Sequence, residues 1–426
     1  MGLLMPFFIL FMVLGIPIAF AMGIAALAVL LMDGSFPLSI VAQRTVLGTD
    51  SFSLLAIPFF ILAGHLMNNG GITERIIHFA NTIVGRFTGG LGLSAVSASM
   101  LISGVSGSAV ADVTAIGTPV IPSMIKQGYG KGFSAGLIAT ASMCGPLIPP
   151  SIPFVIYGIS ITGVSIGGLF IAGAIPGVML GIALMIMAYF ISKRRGYPKY
   201  DAVPLKEIAK AGYGAMWALF MPVIILWGIL SGIVTVTESA AIAVLYAFIV
   251  GFFVYRELQI KHLMRILQMT GLESALVMII IGIASLMGWV LTISQITDHI
   301  AGLLLGISEN PVVILLLIVV LLLIVGMFME TVSSMILLIP VLVPVVTAVG
   351  VDLTHFGVIM VYTLCIGLIT PPVGICLYIT QRLAGERIDK VVKESLPFLG
   401  AALAVLLLLI LVPDLVTWLP ELLMKQ

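Results

Sequence analysis

The chain repeats part of itself at a spacing of 222 residues, the difference between positions 104 and 326. Five residues that shape the backbone return at that one offset: Gly104, Pro122, Gly145, Pro149 and Pro150 recur as Gly326, Pro344, Gly367, Pro371 and Pro372. Identities confined to glycine and proline are not expected by chance in a sequence rich in leucine and isoleucine. The repeat divides the chain into halves at residues 1–195 and 211–426, joined by a charged linker at 196–210.

Both halves consist of apolar stretches. The chain is 61% hydrophobic and 9% charged, whereas about 25% of the residues of a soluble globule are charged. We therefore expect an all-α polytopic membrane protein, because helices pair their own backbone groups in hydrocarbon. Stretches long enough to cross about 30 Å lie near residues 53–68, 132–160, 164–192, 216–233, 236–255, 271–296, 354–380 and 396–420. The net charge of +1, without a clustered basic face, argues against nucleic acid.

The distribution of positive charge predicts the topology. The first thirty residues can form one kinked helix or two short crossings divided at residues 14–17. With two crossings and both termini outside, 17 of the 19 lysines and arginines lie in cytoplasmic loops, all except Arg44 and Lys425. The positive-inside rule favours this arrangement. We expect the N-terminal stretch to be retained, since it has no basic region or small-residue cleavage site.

Two apolar segments, 91–125 and 311–346, enter and leave on the same side in this topology. Glycine and polar residues interrupt both segments, as is typical of a re-entrant helical hairpin. Each half then has five crossings and one hairpin, and an odd number of crossings turns the second half upside down relative to the first. Such an inverted repeat is typical of secondary transporters and lets the two hairpin tips meet near the midplane.

Four helix breaks are expected at this depth. The hairpins turn at SGVSGSAVAD (103–112) and GMFMETVSS (326–334), while GPLIPPS (145–151) and GLITPPV (367–373) break the helices at 132–160 and 354–380. Broken helices expose carbonyls that suit Na⁺ and amides that suit a carboxylate. Hydroxyl groups add neutral oxygens at Ser103, Ser106, Ser108, Thr331, Ser333 and Thr370. The alternative interpretation is that these small residues only let helices pack closely.

Few ionisable or reactive residues lie in the predicted membrane. Its main acids are Asp112, Glu238, Glu273 and Glu330. Intramembrane acids are costly and usually functional; the second and third lie near span ends, whereas Asp112 and Glu330 flank the hairpin tips and are expected to border the transport site. The cysteines lie in apolar surroundings and are expected to be buried: Cys144, Cys365 and Cys376. Charged stretches near 72–88, 256–270 and 384–395 predict interfacial amphipathic helices.

These motifs resemble the large membrane subunit of the tripartite ATP-independent periplasmic (TRAP) transporters across nearly the whole chain. The most specific stretches are SGVSGSAVADVTAIGTPVIPSMIKQGY and CGPLIPPSIPFVIYG, with GLITPPVG in support. The resemblance implies an elevator, in which a transport domain of hairpins and broken helices slides past a fixed scaffold. It implies coupling to two or more Na⁺ ions, a small four-helix membrane subunit as a separate polypeptide, and a periplasmic binding protein. The expected location is the bacterial inner membrane, with both termini periplasmic, and the expected substrate is an organic acid such as sialic acid or a C4-dicarboxylate.

The resemblance also implies site residues. One Na⁺ site, between the first hairpin tip and its broken helix, matches Ser103, Ser106, Gly145 and Pro149. A second, at the inverted equivalent, matches Gly326, Thr331, Gly367 and Thr370. Ser108 and Asp112 would face the substrate between them, with Glu330 at its border.

Two other functions fit parts of the sequence. GVSG (104–107) matches the G-x-S-G form of an intramembrane serine protease, which needs a base beside the serine. None of the histidines falls well inside a predicted span near this depth: His65, His78, His262, His299 and His355. The second copy also has Phe328 where Ser106 stands. A passive channel is the other alternative, since paired hairpins can line a pore without cation sites.

Overall fold

A computed structural model describes residues 3–201, 203–295, 302 and 306–424. These residues form helices and no strand. In chain order the helices are α1 Leu4–Val13, α2 Ile18–Asp33, α3 Ser39–Thr49, α4 Ala56–Asn69, α5 Ile72–Val84, α6 Gly90–Ser106, α7 Ala109–Lys126, α8 Lys131–Ala141, α9 Ile152–Ser160, α10 Ile166–Arg195, α11 Leu205–Leu230, α12 Val236–Ile249, α13 Ile260–Ile293, α14 Pro311–Gly326, α15 Thr331–Ala348, α16 Leu353–Gly367, α17 Ile375–Ala384, α18 Ile388–Leu411 and α19 Asp414–Met424. A 3₁₀ turn, Phe52–Leu55, precedes α4, and a π turn, Val250–Val254, extends α12.

Seven helices in the described ranges are long and apolar enough to cross a membrane. They are α4 and α12 with their adjoining turns, α10, α11, α13, α15 and α18. The predicted all-α polytopic membrane protein is thereby confirmed. The inverted orientation of the two halves stays a prediction, as does the number of crossings formed by α1 and α2, which separate at the expected residues 14–17.

Three helices, α11, α13 and α18, extend into charged stretches that the sequence analysis treated as lying outside the spanning segments. Helix α13 runs unbroken through Ile260–Ile293 and α18 through Ile388–Leu411, so most of each neighbouring charged stretch belongs to the spanning helix. Helix α11 begins at Leu205, inside the expected linker at 196–210. The charged stretches at 256–270 and 384–395 are thus continuous with spanning helices, and their interfacial position stays a prediction. No residue of positive φ lies within these three helices, so none of them contains the left-handed C-cap at which helices often end.

Helix α3 has no counterpart among the sequence predictions. It has no buried residue, yet it packs against α13. The two backbones cross closely: a Cβ atom on Gly48 would lie 3.4 Å from the Cα of Gly282, and one on Gly282 would lie 2.8 Å from the carbonyl oxygen of Thr45. Small residues, and not an apolar stripe, make this contact, so hydrophobic periodicity does not reveal the helix.

The helices of the predicted hairpins pack against both broken helices. Helix α7 of the first hairpin packs against α8 and α17, and α15 of the second packs against α16 and α9. Each hairpin therefore contacts the second part of the helix that is broken in the other half. Outside this group, α2, α3 and α4 pack against α13, and α5 lies between α6 and α11.

The two breaks share a proline pair and differ in exposure. The Pro149–Pro150 and Pro371–Pro372 bonds are both cis. The first pair of prolines is buried, whereas the second pair is exposed. The second break is therefore open at the surface of this chain and the first is enclosed.

Candidate ion and substrate site

The tip of the first hairpin rests on the first proline pair. Gly107 ends α6 with φ of +60°, a left-handed conformation that glycine adopts without strain. A Cβ atom on Gly107 would lie 2.8 Å from the carbonyl oxygen of Pro150, and one on Gly104 would lie 3.4 Å from that of Pro149. At position 107 only glycine permits so close an approach, whereas the distance from position 104 is that of an ordinary van der Waals contact. Both contacts bring the hairpin tip and the broken helix together as predicted.

Asp112 is the charged group at this junction. It lies in the first turn of α7 and is fully buried. Its Oδ2 accepts a hydrogen bond from Ser103 Oγ at 3.1 Å, and its Oδ1 accepts one from Ser106 Oγ. A Cβ atom on Gly145 would lie 2.6 Å from Oδ2, so the backbone of the broken helix borders the carboxylate directly. The structure thus joins Asp112 to residues that the sequence assigned to a cation.

No ion pair neutralises this carboxylate within the described ranges. No hydrogen bond in the same ranges reaches the carbonyl oxygens of Gly145, Pro149 or Pro150. One carboxylate, two hydroxyls and unused carbonyls form an oxygen donor set of low charge. Such a set fits a monovalent cation better than a caged divalent ion, which takes several carboxylates.

The second hairpin meets the second break through two glycines. A Cβ atom on Gly326 would lie 3.2 Å from the Cα of Gly367, and the N–H of Val373 donates to the carbonyl of Met327 at 3.3 Å. Thr331 is 1% exposed. Its hydroxyl makes no hydrogen bond to oxygen or nitrogen in the described part of the chain. Thr370 donates to the carbonyl of Ile366 at 2.7 Å.

Ser108 and Glu330 occupy equivalent places as helix N-caps. Ser108 Oγ accepts from the N–H of Ala111 at 3.5 Å at the start of α7. Glu330 Oε2 accepts from the N–H groups of Val332 at 2.8 Å and Ser333 at 3.4 Å at the start of α15. Capping explains why polar residues stand at these positions, and the predicted contact of both with substrate stays a prediction.

The two remaining intramembrane acids and the three cysteines have other surroundings. Glu238 is exposed and forms a capping box with Thr235 at the start of α12. Glu273, half exposed, pairs with His65 at 3.1 Å. The three cysteines are free and buried, as predicted.

The serine of GVSG, Ser106, has an acid and not a histidine as its side-chain partner in the described part of the chain. Ser106 donates to Asp112, and no histidine hydrogen-bonds to it among the residues that the structure describes. His355 donates from Nε2 to the carbonyl of Leu409 at 2.9 Å, and His299 lies outside the described residues. The arrangement needed for a serine nucleophile is not formed here.

Two residues at the site were missed in the sequence. Ser151 is buried and caps α9, donating from Oγ to the carbonyl of Pro146 at 2.5 Å and accepting from the N–H of Phe154 at 3.3 Å. Pro222 of α11 touches the first tip, 2.7 Å from a Cβ atom placed on Gly104. Two sequence signals could have found them. Ser151 stands directly before Ile-Pro, which is an N-cap signal, and Pro222 is a proline in the middle of a predicted span.

Comparison with known proteins identifies relatives along the whole length. The family model described as "Tripartite ATP-independent periplasmic transporter, DctM component" matches residues 5–415. The isethionate TRAP transporter permease of Oleidesulfovibrio alaskensis is 43% identical over 96% of this chain and 65% of its own length. The sialic acid TRAP transporter large permease of Vibrio cholerae is 43% identical over 96% of this chain and 95% of its own. The C4-dicarboxylate TRAP transporter large permease of the same species is 38% identical over 97% and 96%.

A solved structure shares the fold at low identity. The YdaH transporter of Alcanivorax borkumensis superposes with a TM-score of 0.61 at 16% sequence identity, covering 90% of each chain. This likeness concerns the fold alone. The chain spans just under two thirds of the isethionate permease, so that protein has a further part with no counterpart in these 426 residues.

Proposed function

The chain belongs to the family of the DctM component of tripartite ATP-independent periplasmic transporters, and from this premise we propose that it takes up an organic acid by Na⁺-coupled secondary transport. Its relatives are named as transporter permeases and not as enzymes, so the protein is a multi-pass TRAP permease and the protease alternative is set aside. Na⁺ coupling, the elevator movement and the identity of the acid are the parts that we propose.

The buried carboxylate of Asp112 carries the proposal for the first ion. A buried acid without a countercharge is strongly destabilising, and a bound Na⁺ would supply that charge at the tip of the hairpin. Ser103, Ser106, Gly145 and Pro149 lie around the acid or beside the tip and offer neutral oxygens. We therefore assign Asp112 to this cation site as well as to the border of the substrate.

The buried hydroxyl of Thr331 supports a second ion. The nearest hydrogen-bonding side chain to this hydroxyl is the thiol of Cys365, which is only a weak partner, so the lone pairs of Thr331 Oγ1 would be available to a cation. Gly326 and Gly367 bring the second tip and the second break into contact, and Thr370 lies on the same break. These four residues are the second Na⁺ site in our proposal.

An organic acid suits the polar groups between these two sites. The sequence has no lysine or arginine between residues 87 and 125 or between 311 and 381, so amides at the starts of α7 and α15, the Ser108 hydroxyl and bound Na⁺ would neutralise a carboxylate. Relatives named for sialic acid and for C4-dicarboxylates support these two classes of substrate.

The packing suggests which helices move together in the elevator. The hairpins and broken helices contact one another across the two halves, while α2, α3 and α4 pack against α13. The two groups meet where α13 packs against α15 and α4 packs against α6. We propose that the first group slides past the second in the inner membrane, with both termini periplasmic. A small four-helix subunit would bind the second group, and a periplasmic binding protein would deliver the acid.

Uptake in proteoliposomes tests this function. The chain is reconstituted with its small subunit, and the binding protein loaded with radiolabelled acid is added outside. Coupled transport predicts that an inward Na⁺ gradient drives accumulation above the outside concentration and that a K⁺ gradient does not. A passive channel would stop at equal concentrations whatever the gradient, and that result, or accumulation without Na⁺, would refute the proposal.

A further inference from the structure

A charged cavity of about 630 Å³ lies away from the transport site, between α5, α11 and the loop that follows α12. Its charged and titratable lining residues are Glu74, Arg75, His78, Glu207, Lys210 and Glu257. The loops around it carry no part of the hairpins or breaks. The cavity contains both acidic and basic side chains and lies at the end of a spanning helix, so it suits a ligand that carries a positive and a negative group.

The charges divide into a paired set and a free set. Arg75 is fully engaged: it pairs with Glu257 at 2.8 Å, donates to the carbonyl of Gly71 at 2.7 Å and stacks on the ring of Tyr255 at 4.0 Å. The side chains of Glu74, Glu207 and Lys210 are exposed and make no hydrogen bond or ion pair with any residue that the structure describes. The cavity therefore offers two free carboxylates and one free ammonium group.

Helix α11 places this cavity at a membrane boundary. Beyond Lys210 its exposed side chains follow one another three or four residues apart and are all apolar or aromatic: Tyr213, Trp217, Phe220, Val223, Trp227 and Leu230. The 20 residues that follow Lys210, up to Leu230, rise by about 30 Å, the thickness of the hydrocarbon core. Tyrosine and tryptophan next to the charged end are typical of the membrane interface.

We propose that this cavity binds the headgroup of an aminophospholipid, with the phosphate at Lys210, the protonated amine between Glu74 and Glu207, and the acyl chains along the apolar stripe of α11. Gly214 lines the cavity and has open space where a side chain would stand, which leaves room for the glycerol and chains. A lipid in this position bridges α5 and α11. The inference is independent of Na⁺ coupling and of the substrate.

The free charges distinguish this lipid from others. A phosphatidylglycerol headgroup brings a phosphate and no cation, so it would face two carboxylates without compensation. A choline headgroup brings a cation that has no N–H to donate, so it loses the charge-assisted hydrogen bonds to both acids. A soluble zwitterion such as phosphoethanolamine would satisfy the charges and gain nothing from the stripe.

Native mass spectrometry of the purified full chain tests the proposal. The protein in non-ionic detergent is titrated in parallel with phosphatidylethanolamine, phosphatidylcholine, phosphatidylglycerol and soluble phosphoethanolamine. We expect phosphatidylethanolamine to bind about tenfold more tightly than each of the others. We expect Lys210→Ala and the double variant Glu74→Gln/Glu207→Gln each to abolish most of that preference.

Lys199→Ala and Asp201→Asn are the matched controls, since both residues are exposed on the same predicted side and line no part of the cavity. They should retain the preference. Equal binding of the three lipids to the unaltered chain, tighter binding of phosphoethanolamine than of the lipid, or loss of preference in the controls would each overturn the proposal. The comparison among lipids on the unaltered chain decides the question even where a variant fails to fold.

Discussion

Replacing Gly145 with alanine tests the geometry of the first ion site most directly. The new Cβ atom would lie 2.6 Å from Asp112 Oδ2 and 3.0 Å from the carbonyl oxygen of Ser108. Ordinary contacts begin at 3.4 Å, so the carboxylate or the broken helix must move by about 0.8 Å, and the backbone on the other side limits how far the helix can yield. The carboxylate would then leave the hydroxyls of Ser103 and Ser106.

Overpacking of this kind costs about 1–3 kcal/mol. In the ion-free state the carboxylate relieves the strain by moving away, whereas ion binding needs it back beside Ser103 and Ser106, so the cost falls on the ion-bound state. A cost of this size corresponds to about a 5- to 150-fold change in the equilibrium constant for Na⁺. If the displaced group is a cation ligand, the Na⁺ concentration for half-maximal uptake should rise within that range. Uptake by reconstituted protein is measured as a function of external Na⁺, with substrate and binding protein saturating.

Gly400→Ala is the matched control, because Gly400 lies inside α18 and a Cβ atom there meets nothing within 4 Å. It should leave the Na⁺ dependence unchanged and the folded state as stable or more so, since alanine favours a helix by about 1 kcal/mol. The same Na⁺ dependence in both alanine variants would show that Gly145 does not border a functional cation site.

Three further outcomes follow from the contacts. Ser103→Ala and Thr370→Ala should each raise the Na⁺ concentration for half-maximal uptake. If both variants leave that concentration unchanged, the assignment of these residues to cation sites is wrong. Thr331→Val should leave thermal stability without Na⁺ nearly unchanged, because it removes a buried hydroxyl whose side-chain partner is the weakly hydrogen-bonding thiol of Cys365, and should reduce the stabilisation by Na⁺. A markedly lower stability without Na⁺ would contradict this. His355→Phe should lower the free energy of unfolding by about 0.5–1.5 kcal/mol through loss of its 2.9 Å hydrogen bond to α18, measured by thermal unfolding against exposed His262→Phe.

The local breaks were predictable because their cause is local. A proline lacks the N–H that a helix needs and a glycine permits left-handed backbone. The ends of α8 and α16 and the turn at Gly107 therefore follow from residues within a few positions of each break. The helical content and the membrane class follow in the same way from apolar composition, since hydrocarbon leaves the backbone few alternatives.

The partners of the site residues are a matter of tertiary structure. In the sequence Asp112 stands with Ser108 as a substrate neighbour, and only the fold shows Ser103 and Gly145 at its carboxylate. Helix α3 was not predictable because a close crossing of two backbones leaves no periodic pattern in the sequence. The free charges of the α5–α11 cavity were not predictable because pairing of side chains depends on which helices pack together. The sequence by itself determined where the helices break, because backbone chemistry acts over a few residues. Only tertiary packing decided which oxygens meet at those breaks, because that depends on contacts between segments far apart in the chain.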